Sequence, residues 1–254
     1  MKATIMDAAA PLALAPFARA NAAEGADASA LGWARIYHFL ELALAHPGEV
    51  GFDYFRRADT EAALQAALRQ MPQSDEFTAR AEAAAGAFFA GLRRRSFAET
   101  EAEHIALFSA NFPIVPCPPY GSLFTVEESK RLEEMLAIKQ FYHGSGVDIS
   151  DSYDDLPDHL CVELEFLQLL CFRLQEMITR GDEAVAAGLR RTQAEFLDRF
   201  LLPFAQRLAQ IAGRMAANNP YAHLLDATRL ILAHHRRALD DRNVPPSPHR
   251  ENAS

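Results

Sequence analysis

The sequence is poor in the residues that mark most catalytic and extracellular scaffolds. Its three cysteines, Cys117, Cys161 and Cys171, are odd in number and show no Cys-x-x-Cys spacing. That argues against a disulfide framework or a paired-thiolate zinc site and fits a reducing, cytoplasmic setting. Cys161 and Cys171 fall in an apolar stretch, where they read as small buried hydrophobes. The 12 glycines stand mostly near helix ends, so no glycine-rich turn is available to cradle a phosphate, and no Gly-x-Ser-x-Gly elbow occurs. Residues Gly144 and Gly146 form a Gly-x-Gly too weak to count. Valine, isoleucine and threonine never alternate over four to eight positions as strands require. No run of about 18 uninterrupted apolar residues is present, so no direct membrane insertion is expected. Basic residues are also in deficit. With Lys and Arg at 25 against 34 Asp and Glu, the formal charge of -9 repels phosphate backbones and makes nucleic acid a poor partner.

What remains is a chain of 254 residues, half of them apolar and rich in Ala, Leu, Glu and Arg. This is enough to build a sizeable helical core. Residues 1–29 form an Ala-rich leader that faintly imitates a secretory signal, but Asp7, Pro11 and Pro16 interrupt it, and it reads as a disordered tail. Residues 243–254, with Pro-Pro-Ser-Pro and no apolar anchor, read likewise. Between them, residues 30–242 read as one all-α bundle of about eight to ten helices.

Helical spacing of Trp33, Ile36, Tyr37, Leu40 and Leu44 places a first helix near residues 30–45, stopped by Pro47-Gly48. Further helices are expected near 59–70 and 75–92. Ser96 with Glu99 makes a capping-box pattern opening a helix through Phe108. Four prolines between Asn111 and Leu123 then force an extended segment and a soft division of the bundle. A second capping-box pattern, Thr125 with Glu128, starts a helix to about Tyr142. Leu156-Pro157-Asp158 looks like the start of a long helix to about Arg180, with Pro157 in its first turn and an aspartate complementing its free N–H groups. Leu160, Leu164, Leu167, Cys171 and Leu174 stripe that helix. Phe166, Leu169, Leu170 and Phe172 widen the stripe almost all round, so the helix belongs at the centre. Helical patterns continue to about Leu202, where Pro203 breaks or kinks the chain, then to about Ala217, and from Pro220 to about Asp240.

Functional side chains are densest at Asp158, His159, Glu163 and Glu165. His159 and Glu163 are four apart and share a helix face, as do Asp158 and Glu165 at seven. Spacing alone leaves two readings open. They form a recognition surface, or Asp158 complements the helix terminus, His159 bonds a loop and the glutamates face solvent or the preceding loop. Glu101-x-x-His104 has the spacing used by di-iron bundles, but such sites need two copies and further glutamates, so no metal and no cofactor are expected. His234-His235-Arg236-Arg237 reads as a solvated basic helix end.

Pro119-Tyr120-Gly121-Ser122 resembles the Pro-Tyr-Glu-Ser loop of the TorD/DmsD/NarJ-type redox-enzyme maturation chaperones. Leu156-Pro157-Asp158-His159-Leu160 with Glu163-Leu164-Glu165-Phe166-Leu167 resembles the Glu-Pro-Asp-His-Leu and Glu-Leu-Glu-Phe-Leu signature of the same family. Two positions depart from the pattern: Gly121 stands where the loop usually has glutamate, and Leu156 where an acid usually precedes the proline.

The resemblance implies an all-helical, non-catalytic cytoplasmic chaperone, monomeric or homodimeric. Its partner would be the catalytic subunit of a molybdenum-containing oxidoreductase, bound as apoprotein or by its twin-arginine leader until the cofactor is inserted. By the same resemblance, client contacts fall on Tyr120, Ser122, Pro157, Asp158, His159, Glu163 and Glu165. The alternatives are a permanent structural subunit of a redox complex and a helical-bundle metalloprotein or hydrolase.

Overall fold

The computed structural model describes residues 3–5, 28–71, 75–110 and 113–243. The chain opens with a short strand, β1 (Ala3–Ile5), and then runs through α1 (Ala28–Leu44), α2 (Glu49–Phe55), α3 (Ala58–Arg69), α4 (Asp75–Arg93) and α5 (Phe97–Phe108). A single turn, α6 (Ser122–Thr125), and a 3-10 turn (Glu128–Lys130) lead into α7 (Arg131–Gly144) and a second strand, β2 (Val147–Ile149). After them come α8 (Leu160–Arg180), α9 (Glu183–Phe196), α10 (Leu202–Met215) and α11 (Pro220–Asn243). The architecture is all-α.

The caps explain several boundaries. Ser96 and Glu99 form the reciprocal box expected of them: the Ser96 Oγ accepts from the Glu99 amide at 3.3 Å and the Glu99 carboxylate from the Ser96 amide at 2.8 Å. The matching Thr125–Glu128 pattern caps nothing, because the Thr125 hydroxyl donates back to the Gly121 carbonyl at 3.0 Å and α7 starts only at Arg131. Asp182 caps α9 through the Val185 amide at 3.1 Å, and Gly181 ends α8 with φ 74°, the left-handed value that favours glycine. Pro203 does not break the chain. A π-helical stretch, Leu197–Leu201, precedes it and links α9 to α10. Its wider turn accommodates a ring that would otherwise clash with a carbonyl one turn back.

The core is built on α8 lying along α1, and on α11 lying along α4 and α10. Trp33, Ile36, Tyr37, Phe39 and Leu40 of α1 are buried, as are Leu160, Leu164, Phe166, Leu167, Leu170, Cys171 and Leu174 of α8. Phe172 departs from the expected all-round burial and is 42% exposed. His234 and His235 are not the solvated helix end that their sequence suggests. His235 stacks on Trp33 with centroids 4.3 Å apart, and its Nδ1 lies 2.6 Å from the Tyr37 hydroxyl. The two arginines do keep to the surface: Arg236 pairs with Asp198 and Asp240, and the exposed Arg237 lies over the Phe77 ring at 5.6 Å.

Ala3–Ile5 also departs from an unstructured leader. It pairs in parallel with β2, Ile5 opposite Ile149, and the Ile5 side chain is 1% exposed within the core. Residues 6–27 of the leader and the tail from 244 lie outside the described residues.

Candidate functional site

The proline-rich segment is strapped to the start of α8. Tyr120 and His159 form an antiparallel bridge, with the Leu160 amide donating to the Pro119 carbonyl and the Gly121 amide to the Asp158 carbonyl, each at 2.9 Å. The Asp158 carboxylate accepts from the Ser122 amide at 2.8 Å, capping the first turn of α6 rather than α8. This moves the start of the long helix from Leu156 to Leu160. His159 is its N-cap, with Nδ1 accepting from the Cys161 amide at 3.1 Å. Pro157 precedes the helix instead of opening it, and its carbonyl accepts from the Tyr142 hydroxyl at 3.0 Å.

Five of the residues singled out in the sequence therefore converge: Tyr120, Ser122, Asp158, His159 and Glu163. Their exposures differ. Ser122, Asp158 and Glu163 are 3%, 2% and 1% exposed, whereas Tyr120, Pro157, His159 and Glu165 are half-buried. Asp158 and Glu163 thus lie beneath the strap and the half-buried rings above it. Glu165 points away from Glu163 around the helix, as a two-residue step on a helix requires, and its charge acts on Tyr142, Tyr153 and Cys161.

The electrostatics follow from this layering. Burial, reinforced by the charges of Asp158 and Glu134, holds the Glu163 carboxyl well above its ordinary pKa and so favours its protonated form. Its Oε2 and the Asp158 Oδ1 have no partner among the described residues. Burial lowers the pKa of His159 against the opposing pull of Asp155 and Asp158, so the ring is neutral with Nδ1 as acceptor. The Tyr120 hydroxyl donates to Asp155 at 3.2 Å, and burial together with that carboxylate pushes its pKa up to about 12. Its ring meets that of His159 edge-on, centroids 5.4 Å apart.

Asp155 and Tyr142 are members of the cluster that sequence reasoning did not single out. Their partners lie across a loop or on another helix, where no spacing rule reaches. Gly121 is likewise structural. A Cβ there would stand 3.0 Å from the Glu163 Oε1 and 3.4 Å from Phe204, so a larger residue would need the Glu163 carboxyl to shift by a few tenths of an ångström.

The arrangement offers no activated nucleophile. Burial raises the Cys161 thiol pKa well above normal, which keeps it protonated and inert. Among the described residues no group of three or more His, Cys, Asp or Glu is placed to hold a metal. Glu101 and His104 do not converge: Glu101 faces His46 at 3.9 Å, while the His104 Nε2 lies 3.1 Å from the Leu44 carbonyl.

Residues 59–210 match the family model described as the nitrate reductase delta subunit. The chain belongs to that family. Every member of the strapped cluster falls within the matched stretch. The chain is also similar to the perchlorate reductase assembly chaperone protein of Dechloromonas aromatica (strain RCB), 26% identical over 140 residues, 55% of this chain and 61% of that one. With the selenate reductase assembly chaperone protein of Thauera selenatis it shares 35% identity over 111 residues, 43% of this chain and 53% of the relative. The matches thus span less than two thirds of the relatives' own lengths. No helix among the described residues of this family member is long and apolar enough to cross a membrane.

Proposed function

We propose that this protein is a non-catalytic cytoplasmic assembly chaperone for the catalytic subunit of a molybdenum-containing oxidoreductase, bound as apoprotein, by its twin-arginine leader, or by both. The observation that carries the reading is the strap of Tyr120–Ser122 on Asp158–Leu160, which joins the two segments of most specific sequence pattern into one face. Family membership and the printed roles of the two relatives support it.

On this reading the site has two layers. Asp158, Ser122 and Glu163 are positioning residues that hold the strap, since buried groups cannot reach a client while the strap is closed. Tyr120, Pro157, His159 and Glu165, with Asp155 beside them, form the contact layer. Carboxylates at such a rim pair with guanidinium groups, and the half-buried rings supply apolar contact to the adjoining leader segment.

The test is capture of the catalytic subunit from native cells by tagged protein. His159→Ala and Asp158→Ala should each reduce capture at least several-fold while leaving helicity unchanged, and unaltered capture by both would remove the site assignment. The word subunit in the family description favours a second reading, a permanent component of the redox complex. Stoichiometric presence in the purified mature enzyme would decide for it.

A further inference from the structure

Helix α7 packs on the core through one side. Its Ile138 and Tyr142 are buried and its Phe141 lies against Phe166 and Phe196, whereas Leu132 and Leu136 are 65% and 52% exposed. The two leucines stand one turn apart on the outward face, which continues through the exposed Lys139 and His143. Together they make a contiguous apolar patch, unlike leucines scattered singly over a surface. At the other end, the turn leading into the helix carries the exposed Glu127 and Glu128. Along the axis the surface therefore runs acidic, apolar, basic.

Such an order is its own complement when reversed. Two copies of α7 laid antiparallel about a two-fold axis level with Glu134 bring Leu132 of each copy against Leu136 of the other. Lys139 then stands about 7.5 Å from that axis and Glu128 of the second copy about 9 Å, on the same side, a difference that a lysine side chain spans. The two-fold axis repeats each contact, so both ion pairs form together. Glu128 is available for this: its side chain is 88% exposed and lies 3.9 Å from Arg131, beyond hydrogen-bonding distance. Beside the basic end, α7, β2 and the loop that follows enclose a groove of about 970 Å³. Its rim carries Lys139 and His143 on the helix and Asp148 and Asp151 opposite, with the His143 Nδ1 2.8 Å from Asp148. In the antiparallel arrangement the turn of the second copy, with Glu127, Glu128 and Lys130, lies over this groove and meets it with charges of both signs. A partner of one charge sign would be repelled at one end of the stripe, whereas a second copy is not.

We infer that the outward face of α7 is a homodimer interface: two copies of this chain pack antiparallel through Leu132 and Leu136, with Glu128 of each copy facing Lys139 of the other. The strapped cluster meets α7 elsewhere, through the Tyr142 hydroxyl and the charge of Glu134. The interface thus leaves that cluster uncovered, and the inference does not rest on the chaperone reading. The apolar patch is small, so the dimer is of the weak, reversible kind, with a dissociation constant of about 10–100 µM.

Sedimentation equilibrium of the full chain at low ionic strength, over a concentration range that brackets about 10–100 µM, tests it. The unaltered protein should pass reversibly from monomer to dimer and stop there, because a two-fold contact closes on itself. Leu136→Glu should leave the protein monomeric throughout with a nearly unchanged melting temperature, as substitutions at exposed positions do. Glu128→Lys and Lys139→Glu should each weaken self-association about fivefold, since each places like charges in both symmetric pairs. Mixing these two variants restores opposite charges in both pairs, so the mixture should form a heterodimer about as tight as the dimer of the unaltered protein. That rescue is specific to an antiparallel contact between these two positions. A protein monomeric across the range, self-association that survives Leu136→Glu, or a mixture that associates no better than either variant alone would overturn the inference.

Discussion

Glu163→Gln exchanges the buried carboxyl beneath the strap for an amide of the same size, and its effect on stability is set by pH. Glu163 is 1% exposed and has Asp158 and Glu134 as its charged neighbours. Burial first, and those charges second, hold its pKa well above the ordinary 4.5. Above about pH 4.5 the unfolded chain has therefore released a proton that the folded protein still holds. A folded state that binds the extra proton loses stability as pH rises, from the unfolded pKa up to the folded one.

One proton corresponds to about 1.4 kcal/mol per pH unit. The variant has no such proton, so its unfolding free energy minus that of the unaltered protein should climb by about 1.4 kcal/mol per pH unit from roughly pH 5 upward. It should level off where Glu163 ionises in the folded state. Urea melts followed by circular dichroism at pH steps between 5 and 8 measure this, and the subtraction cancels every group the two proteins share. A difference that stays constant across the range would refute the burial of an uncharged Glu163 under the strap.

Asp158→Ala leaves the buried Ser122 amide without its acceptor, a loss of about 1–3 kcal/mol readable as a lower urea midpoint. Asp158→Asn keeps an acceptor oxygen and should cost measurably less; equal losses would show that the amide bond is not what the carboxylate supplies. Ser96→Ala removes one half of the capping box on α5 and should cost about 1 kcal/mol, with an unchanged midpoint counting against the cap. His104, whose pKa burial lowers to about 4, should keep a neutral imidazole on NMR titration through pH 5. Because the unfolded ring takes up a proton near 6.5 and the folded one does not, this residue's contribution to stability falls as pH drops from 6.5 toward 4.

The helices were legible where the periodic apolar stripe was long. The stripes of α1 and α8 locate both elements and their burial, because side chains three and four apart must share a face whatever surrounds them. Boundaries set by distant partners were not legible. Ser96–Glu99 and Thr125–Glu128 have the same pattern, yet only the first is a cap, since the Thr125 hydroxyl finds the Gly121 carbonyl instead. Leu156-Pro157-Asp158 has every local mark of a helix start, but Asp158 turns to Ser122 and the Leu160 amide to Pro119, postponing the helix. Strand β1 is three residues within an alanine-rich leader, and its partner β2 lies beyond the middle of the chain. Helix α2 is too short, with Gly51 in its interior, to show a period. At the site, residue types and proximity along the chain identified the cluster. The division into buried and half-buried layers needed the strap itself.

That division gives the departure at Gly121 a physical meaning. In the chaperone pattern a glutamate follows the loop tyrosine, so the loop carries its own carboxylate. Here the loop has none, and the space beside the Gly121 Cα is taken by the Glu163 carboxyl from α8, 3.0 Å from where a Cβ would be. A side chain at 121 would press on the Glu163 carboxyl, which would have to give way by a few tenths of an ångström. Glu163 lies buried beneath the strap, where its protonated form is favoured, while the exposed Asp155, to which the Tyr120 hydroxyl donates, and the half-buried Glu165 carry negative charge nearer the surface. On the proposed reading, a guanidinium of the client is met by Asp155, held by Tyr120, and by Glu165.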